Sequence, residues 1–121
     1  MLERTLTRGD IVHVKNPVHA SGSTHIIQKD RYGVICQNNK GNEHGNSIIV
    51  AYITSNTNRL DLPCNCLIQW YECLSKPASV ILAGQIMTVD RNDIDAVIGH
   101  LRPEDEMKFN RALKASLGLE D

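Results

Sequence analysis

Aromatic residues are scarce in this chain: one Trp, one Phe and three Tyr among 121 residues. A broad platform for stacking successive nucleic-acid bases is excluded by that shortage. Long apolar runs are absent too. No stretch approaches the roughly 18 apolar residues of a membrane span. The first ten residues, MLERTLTRGD, hold no apolar core of a secretory signal. A cytoplasmic protein without membrane contact is expected. A surplus of positive charge is also missing, since the net charge is −1. The imbalance is local instead. Residues 1–60 carry 7 Lys/Arg against 4 Asp/Glu, and residues 61–121 carry 6 against 10. The basic excess of the first half permits a groove for an anionic substrate.

Four cysteines are present, Cys36, Cys64, Cys66 and Cys73. The C-x-C at 64–66 lacks the paired C-x-x-C spacing of a zinc site, and nothing suggests secretion. Buried free thiols are the expectation, with no metal and no cofactor. The length suits one domain over residues 1–121 with a modest core of its own.

Strand signals dominate. RGDIVHVK (8–15) alternates, with Val12 and Val14 on one side and Ile11, His13 and Lys15 on a wetter one. NPVHASGS breaks it through Pro17 and Gly22. GVICQN (33–38) is a second strand, NKGNEHGN (39–46) a turn cluster, and SIIVAYI (47–53) a strand buried on both faces. After the loop TSNTNRLDLP, CNCLIQW (64–70) alternates, placing Cys64, Cys66, Ile68 and Trp70 on one face. SVILAG and QIMTVD (79–90) read as two strands or one bent at Gly84. In NDIDAVIGHL, Ile94, Val97, Ile98 and Leu101 recur at helical spacing and predict a short helix. Pro103 opens a second helix with Glu104, Asp105 and Glu106 in its first turn. Its inner stripe is Phe109, Ala112, Leu113, Ser116 and Leu117, and Gly118 is its C-cap. The sum is a mainly β chain with C-terminal helices, arranged as a small, strongly bent antiparallel barrel.

Arg31 enters the strand at 33–38, and Thr54-Ser55 leave the strand at 47–53. Antiparallel pairing of those strands gathers a guanidinium and two hydroxyls at one rim. That is a phosphodiester site in outline, because the Arg fork matches a phosphate. RNA cleavage by its own 2′-hydroxyl needs a proton acceptor, a proton donor and positive charge, but no metal. His25 is the better base on paper, and Arg31 is a poor one. The bland reading is a solvated edge charge beside a turn.

RGDIVHVKNP, QNNKGN, SIIVAYITSN, LP, SVILAGQIMTVD and ALKASLGL together resemble the MazF/PemK-type toxins of type II toxin–antitoxin systems, in order, from about residue 8 to 119. The resemblance implies an SH3-like barrel of the MazF, Kid and CcdB type. It implies a homodimeric, metal-independent endoribonuclease that cuts single-stranded RNA at a short sequence and leaves a 2′,3′-cyclic phosphate and a 5′-hydroxyl. It implies a cognate antitoxin whose flexible acidic segment covers the RNA groove. The family's catalytic Arg and Thr match Arg31 and Thr54. Lys29, Tyr32, Ser55 and Asn56 are then expected to contact RNA, and His25 to act as base or RNA contact. Gly22 to Tyr32 depart from the family's G-S-E-Q-x-G-x-R-P: the run is about two residues longer, lacks the glycine and has Tyr32 for Pro. Met87 stands for a common Arg and Gly84 for a common Glu. The departures imply an altered RNA specificity. Two other readings compete: a non-enzymatic poison of the gyrase-trapping type on the same barrel, and a nuclease weakened by its unusual loop.

Overall fold

The computed structural model describes residues 5–15 and 31–119. Its order is β1 (Asp10–Val14), β2 (Arg31–Ile35), α1 (Asn39–His44), β3 (Ser47–Thr54), β4 (Asn65–Gln69), β5 (Ala78–Asp90), a 3₁₀ turn (Arg91–Asp93), β6 (Ile94–His100) and α2 (Pro103–Leu117). The six strands form one antiparallel sheet in the order β4-β5-β3-β2-β1-β6. The mainly β architecture with a C-terminal helix is as expected, but the hydrogen-bonded ladder is open, with β4 and β6 at its edges.

Alternation sends neighbouring side chains to opposite faces, and both faces of this sheet are covered. Ile11, Val34, Ala51, Ile68 and Ile81 pack with Phe109 and Ala112 of α2. Val12, Val14, Ile35, Ile48, Val50 and Ile94 form a second cluster. The wetter side expected for β1 is therefore only partly wet. Ile11 is fully buried, and His13 lies half-buried against Asp95.

The segment 94–100 is a strand, not the expected helix. Ile94 and Val97 pair with Val14 and Val12 of β1. Ile94, Val97 and Ile98 are β-branched, which favours extended backbone. The turn cluster at 39–46 holds a short helix instead. Asn38 caps it by accepting the Gly41 N–H at 2.9 Å. Residues 79–90 form one long strand. Its pairing with β3 shifts register between Ala51 and Ile53, opposite the interval Ile81–Ile86 that contains Gly84. In α2, Pro103 occupies the first turn, and Gly118, at φ 71°, returns its N–H to the Ala115 and Lys114 carbonyls. Phe109 and Ala112 are buried and Leu113 partly so, whereas Ser116 and Leu117 are exposed.

Candidate active site

β2 starts where β3 ends. Their ladder pairs Gly33 with Tyr52 and Val34 with Ala51. Two residues further along the same register, Arg31 comes opposite Thr54, so both project from one face of the sheet. They line one open cavity of about 430 Å³ together with Tyr32, Ile53, Ser55, Leu74, Ser75, Lys76, Ser79 and Leu82.

Each group is positioned by its own strand. The Arg31 guanidinium carbon lies 5.1 Å from the centroid of the Tyr52 ring, a cation–π contact that holds the exposed side chain at the rim. Tyr32 meets the His13 ring edge-on at 5.5 Å, across the pair His13–Tyr32 of β1 and β2. His13 Nδ1 in turn lies 2.6 Å from Asp95 Oδ1. The Thr54 Oγ1 accepts the Asn56 N–H at 3.2 Å. A hydroxyl has one proton to give. With its oxygen already accepting from Asn56, Thr54 still has this proton to give to a further acceptor. Asn56 thus acts on Thr54 from behind and is not among the residues that line the cavity. Its own Oδ1 accepts the Asn58 N–H at 3.0 Å.

Arg31, Tyr32, Thr54 and Ser55 are brought together, as the sequence suggested. His25 and Lys29 lie outside the described residues. Ser75 and Lys76, between CNCLIQW and SVILAG, and Ser79, the first residue of SVILAG, were not singled out from the sequence. The signal was indirect. β5 pairs with β3 on one side and β4 on the other, so the loop joining β4 to β5 must arrive beside the end of β3. Lys76 adds a second cation to the cavity.

The cysteines sit away from this chemistry. All four are free. Burial pushes the thiols of Cys36, Cys66 and Cys73 up, away from the reactive thiolate. Among the described residues no group of three or more His, Cys, Asp or Glu side chains is placed to hold a metal ion. The cavity offers a planar cationic fork, an ammonium and several hydroxyls. Such a set is chemically able to neutralise and orient a phosphodiester.

The model of the PemK-like, MazF-like toxins of type II toxin–antitoxin systems matches residues 7–117. The chain is 33% identical over 115 residues to the endoribonuclease MazF of Staphylococcus saprophyticus, covering 94% of this chain and 92% of that protein. Its fold is similar to that of a MazE–MazF crystal structure from Deinococcus radiodurans, with a TM-score of 0.77 at 14% identity over 98% of this chain and 100% of that one. It is similar as well to an endoribonuclease solved in complex with its cognate antitoxin from a mycobacterial species, with a TM-score of 0.74 at 20% identity over 96% and 98% of the two chains.

Proposed function

Because the chain belongs to the PemK-like, MazF-like toxins of type II toxin–antitoxin systems, we propose that this endoribonuclease cuts single-stranded RNA at a short sequence, by internal transesterification and without a metal. The 2′-oxygen of the target nucleotide forms a bond to phosphorus, and the bond from phosphorus to the 5′-oxygen breaks. The proton of the 2′-hydroxyl passes to a base, and an acid supplies one to the departing 5′-oxygen. The products are a 2′,3′-cyclic phosphate and a 5′-hydroxyl. A toxin with this activity inhibits translation and growth.

Arg31 and Thr54 on one cavity are the observation that carries this reading. The Arg31 fork neutralises the charge that builds on the phosphorane oxygens. Thr54, oriented by the Asn56 N–H, donates to a non-bridging oxygen. Tyr32, Ser55 and Lys76 hold the flanking nucleotides. His25 serves as base or RNA contact, and Lys29 as a further contact. The active protein is a homodimer in the cytoplasm. Among the described residues no helix is long and apolar enough to cross a membrane. Its partner in regulation is a cognate antitoxin, whose acidic flexible segment competes with RNA for the cationic cavity.

The test is incubation of purified protein with mixed-sequence single-stranded RNA in excess EDTA, beside Arg31→Ala and Thr54→Ala. Discrete cuts by the wild type, ending in cyclic phosphate, are expected. Each substitution should lower kcat/KM by roughly 100-fold or more, the scale of losing one preorganised donor. Intact RNA with folded wild-type protein would overturn the reading and direct the next test to gyrase trapping.

A further inference from the structure

Trp70 directly follows β4, where the strand's alternation would turn it inward, and still faces solvent. Cys66 and Ile68 are buried, and period two places residue 70 on their face. Its backbone instead adopts φ 63°, a left-handed conformation that a bulky side chain takes only when its surroundings enforce it. Trp70 is 71% exposed. Both backbone polar groups are held. The Trp70 N–H donates to the Pro77 carbonyl at 3.0 Å, and the Trp70 carbonyl accepts from Arg102 Nη2 at 2.5 Å. Arg102 is fixed in turn, with its guanidinium carbon 4.1 Å from the centroid of the Tyr71 ring. The one tryptophan of the chain is thus held out of the core by a constrained backbone. Such strain is kept where a side chain has work to do.

We propose that Trp70 is a single base-stacking platform that holds an RNA nucleotide beyond the scissile one, an inference that rests on the ribonuclease reading above. The loop that begins at Trp70 ends at Pro77, and its distal residues Leu74, Ser75 and Lys76 line the cavity shared by Arg31 and Thr54. Val80 of β5 pairs with Thr54 on one side and Leu67 on the other. Two strand spacings and three residues along β4 set the Trp70 backbone about 14 Å from Thr54. One bound segment spans that distance, since single-strand grooves hold roughly 4–16 nucleotides. An exposed aromatic face stacks on any base, and the cation Lys76, on the cavity side of the same loop, suits a connecting phosphate. Glu72 is the acidic residue of the same loop.

Because Trp70 is the only tryptophan, its fluorescence reports on this position alone. A mixed-sequence 2′-O-methyl RNA, which lacks the attacking hydroxyl, should quench wild-type emission. Trp70→Gly suits a φ of 63° and deletes the indole, so its melting temperature should equal or exceed that of the wild type. Its KM for mixed-sequence RNA should rise roughly 5- to 100-fold with little change in kcat, the effect of losing one stacked base. Trp70→Phe should recover most of the affinity. An unchanged KM in folded Trp70→Gly would overturn the proposal. So would emission that responds to protein concentration or to polyglutamate but not to RNA, which would make Trp70 a protein-binding anchor. Cutting of the unmethylated mixed-sequence RNA by the wild type separates the two readings: without it the ribonuclease reading falls, and the platform with it.

Discussion

The Tyr71 hydroxyl donates to Asp105 Oδ2 at 2.6 Å and accepts the Arg102 N–H at 2.8 Å. Asp105 is buried, so its carboxylate depends on this donor and on Arg102 and Lys108, each 3.6 Å away. Tyr71→Phe should cost about 1–3 kcal/mol in urea unfolding, because a buried acceptor loses a partner. Burial, followed by the bond to Asp105, pushes the Tyr71 hydroxyl from 10 up to about 12. The fold favours the protonated phenol. Its contribution is complete below about pH 10 and is lost as pH rises toward about 12. Tyr71→Phe should therefore flatten the alkaline limb of the stability curve. His100 is opposite in charge but follows the same sign. Its ring meets Asp10 Oδ1 at 2.8 Å and Glu106 Oε1 at 3.3 Å, and the bond to Asp10 above all holds its pKa above the ordinary 6.5. The stabilisation is complete below about 6.5 and fades as pH climbs through the folded value. Melting curves from pH 6 to 9 should show this fall in the wild type, and His100→Gln should reduce it.

β6 separates what the sequence signals from what folding selects. Ile94, Val97, Ile98 and Leu101 fit a helix period, but Ile94, Ala96 and Ile98 fit a strand period equally well, and short apolar runs do not distinguish the two. Pairing with β1 decides it. The bend in β5 and the helix α2 were legible because Gly84, Pro103 and the acidic first turn are punctuation with a mechanism. The six-residue helix α1 was not legible, because Asn- and Gly-rich sequence serves caps and turns alike. Arg31 and Thr54 could be joined from sequence because adjacent antiparallel strands exchange ends. Lys76 could not, since its place depends on β5 running between β3 and β4. Trp70 was read onto the core face, because alternation carries no trace of a left-handed residue. Gly99→Ala tests the strand directly. On a helix the change would stabilise by about 0.5–1 kcal/mol. Here the added Cβ would stand 2.8 Å from Cys73 Sγ, so unfolding free energy should fall by about 1–3 kcal/mol, as in overpacking.

At the scale of the whole molecule, affinity for a polyanion must come from placement, because the net charge is only −1. The acidic excess lies in the second half of the chain, and three of its carboxylates, Glu104, Asp105 and Glu106, occupy the first turn of α2, where they complement the helix dipole. Lys76 comes from that acidic half, yet it lines the cavity beside Arg31 of the basic half. With RNA bound as proposed, these two cations set how its binding responds to salt. Each phosphate neutralised on a single strand contributes a slope of about −0.7 to log affinity against log salt. Lys76→Gln should therefore make the slope shallower by about 0.7 between roughly 50 and 200 mM salt. It should raise KM at the lower end and leave kcat nearly unchanged, because an ammonium on a flanking phosphate acts on ground and transition states alike. An acidic antitoxin segment in the same cavity meets the same cations, so its inhibition should weaken with salt in the wild type and lose part of that dependence in Lys76→Gln. A salt slope unaltered by the substitution would place Lys76 away from any bound phosphate and leave Arg31 as the cation that faces the RNA from the described wall of the cavity.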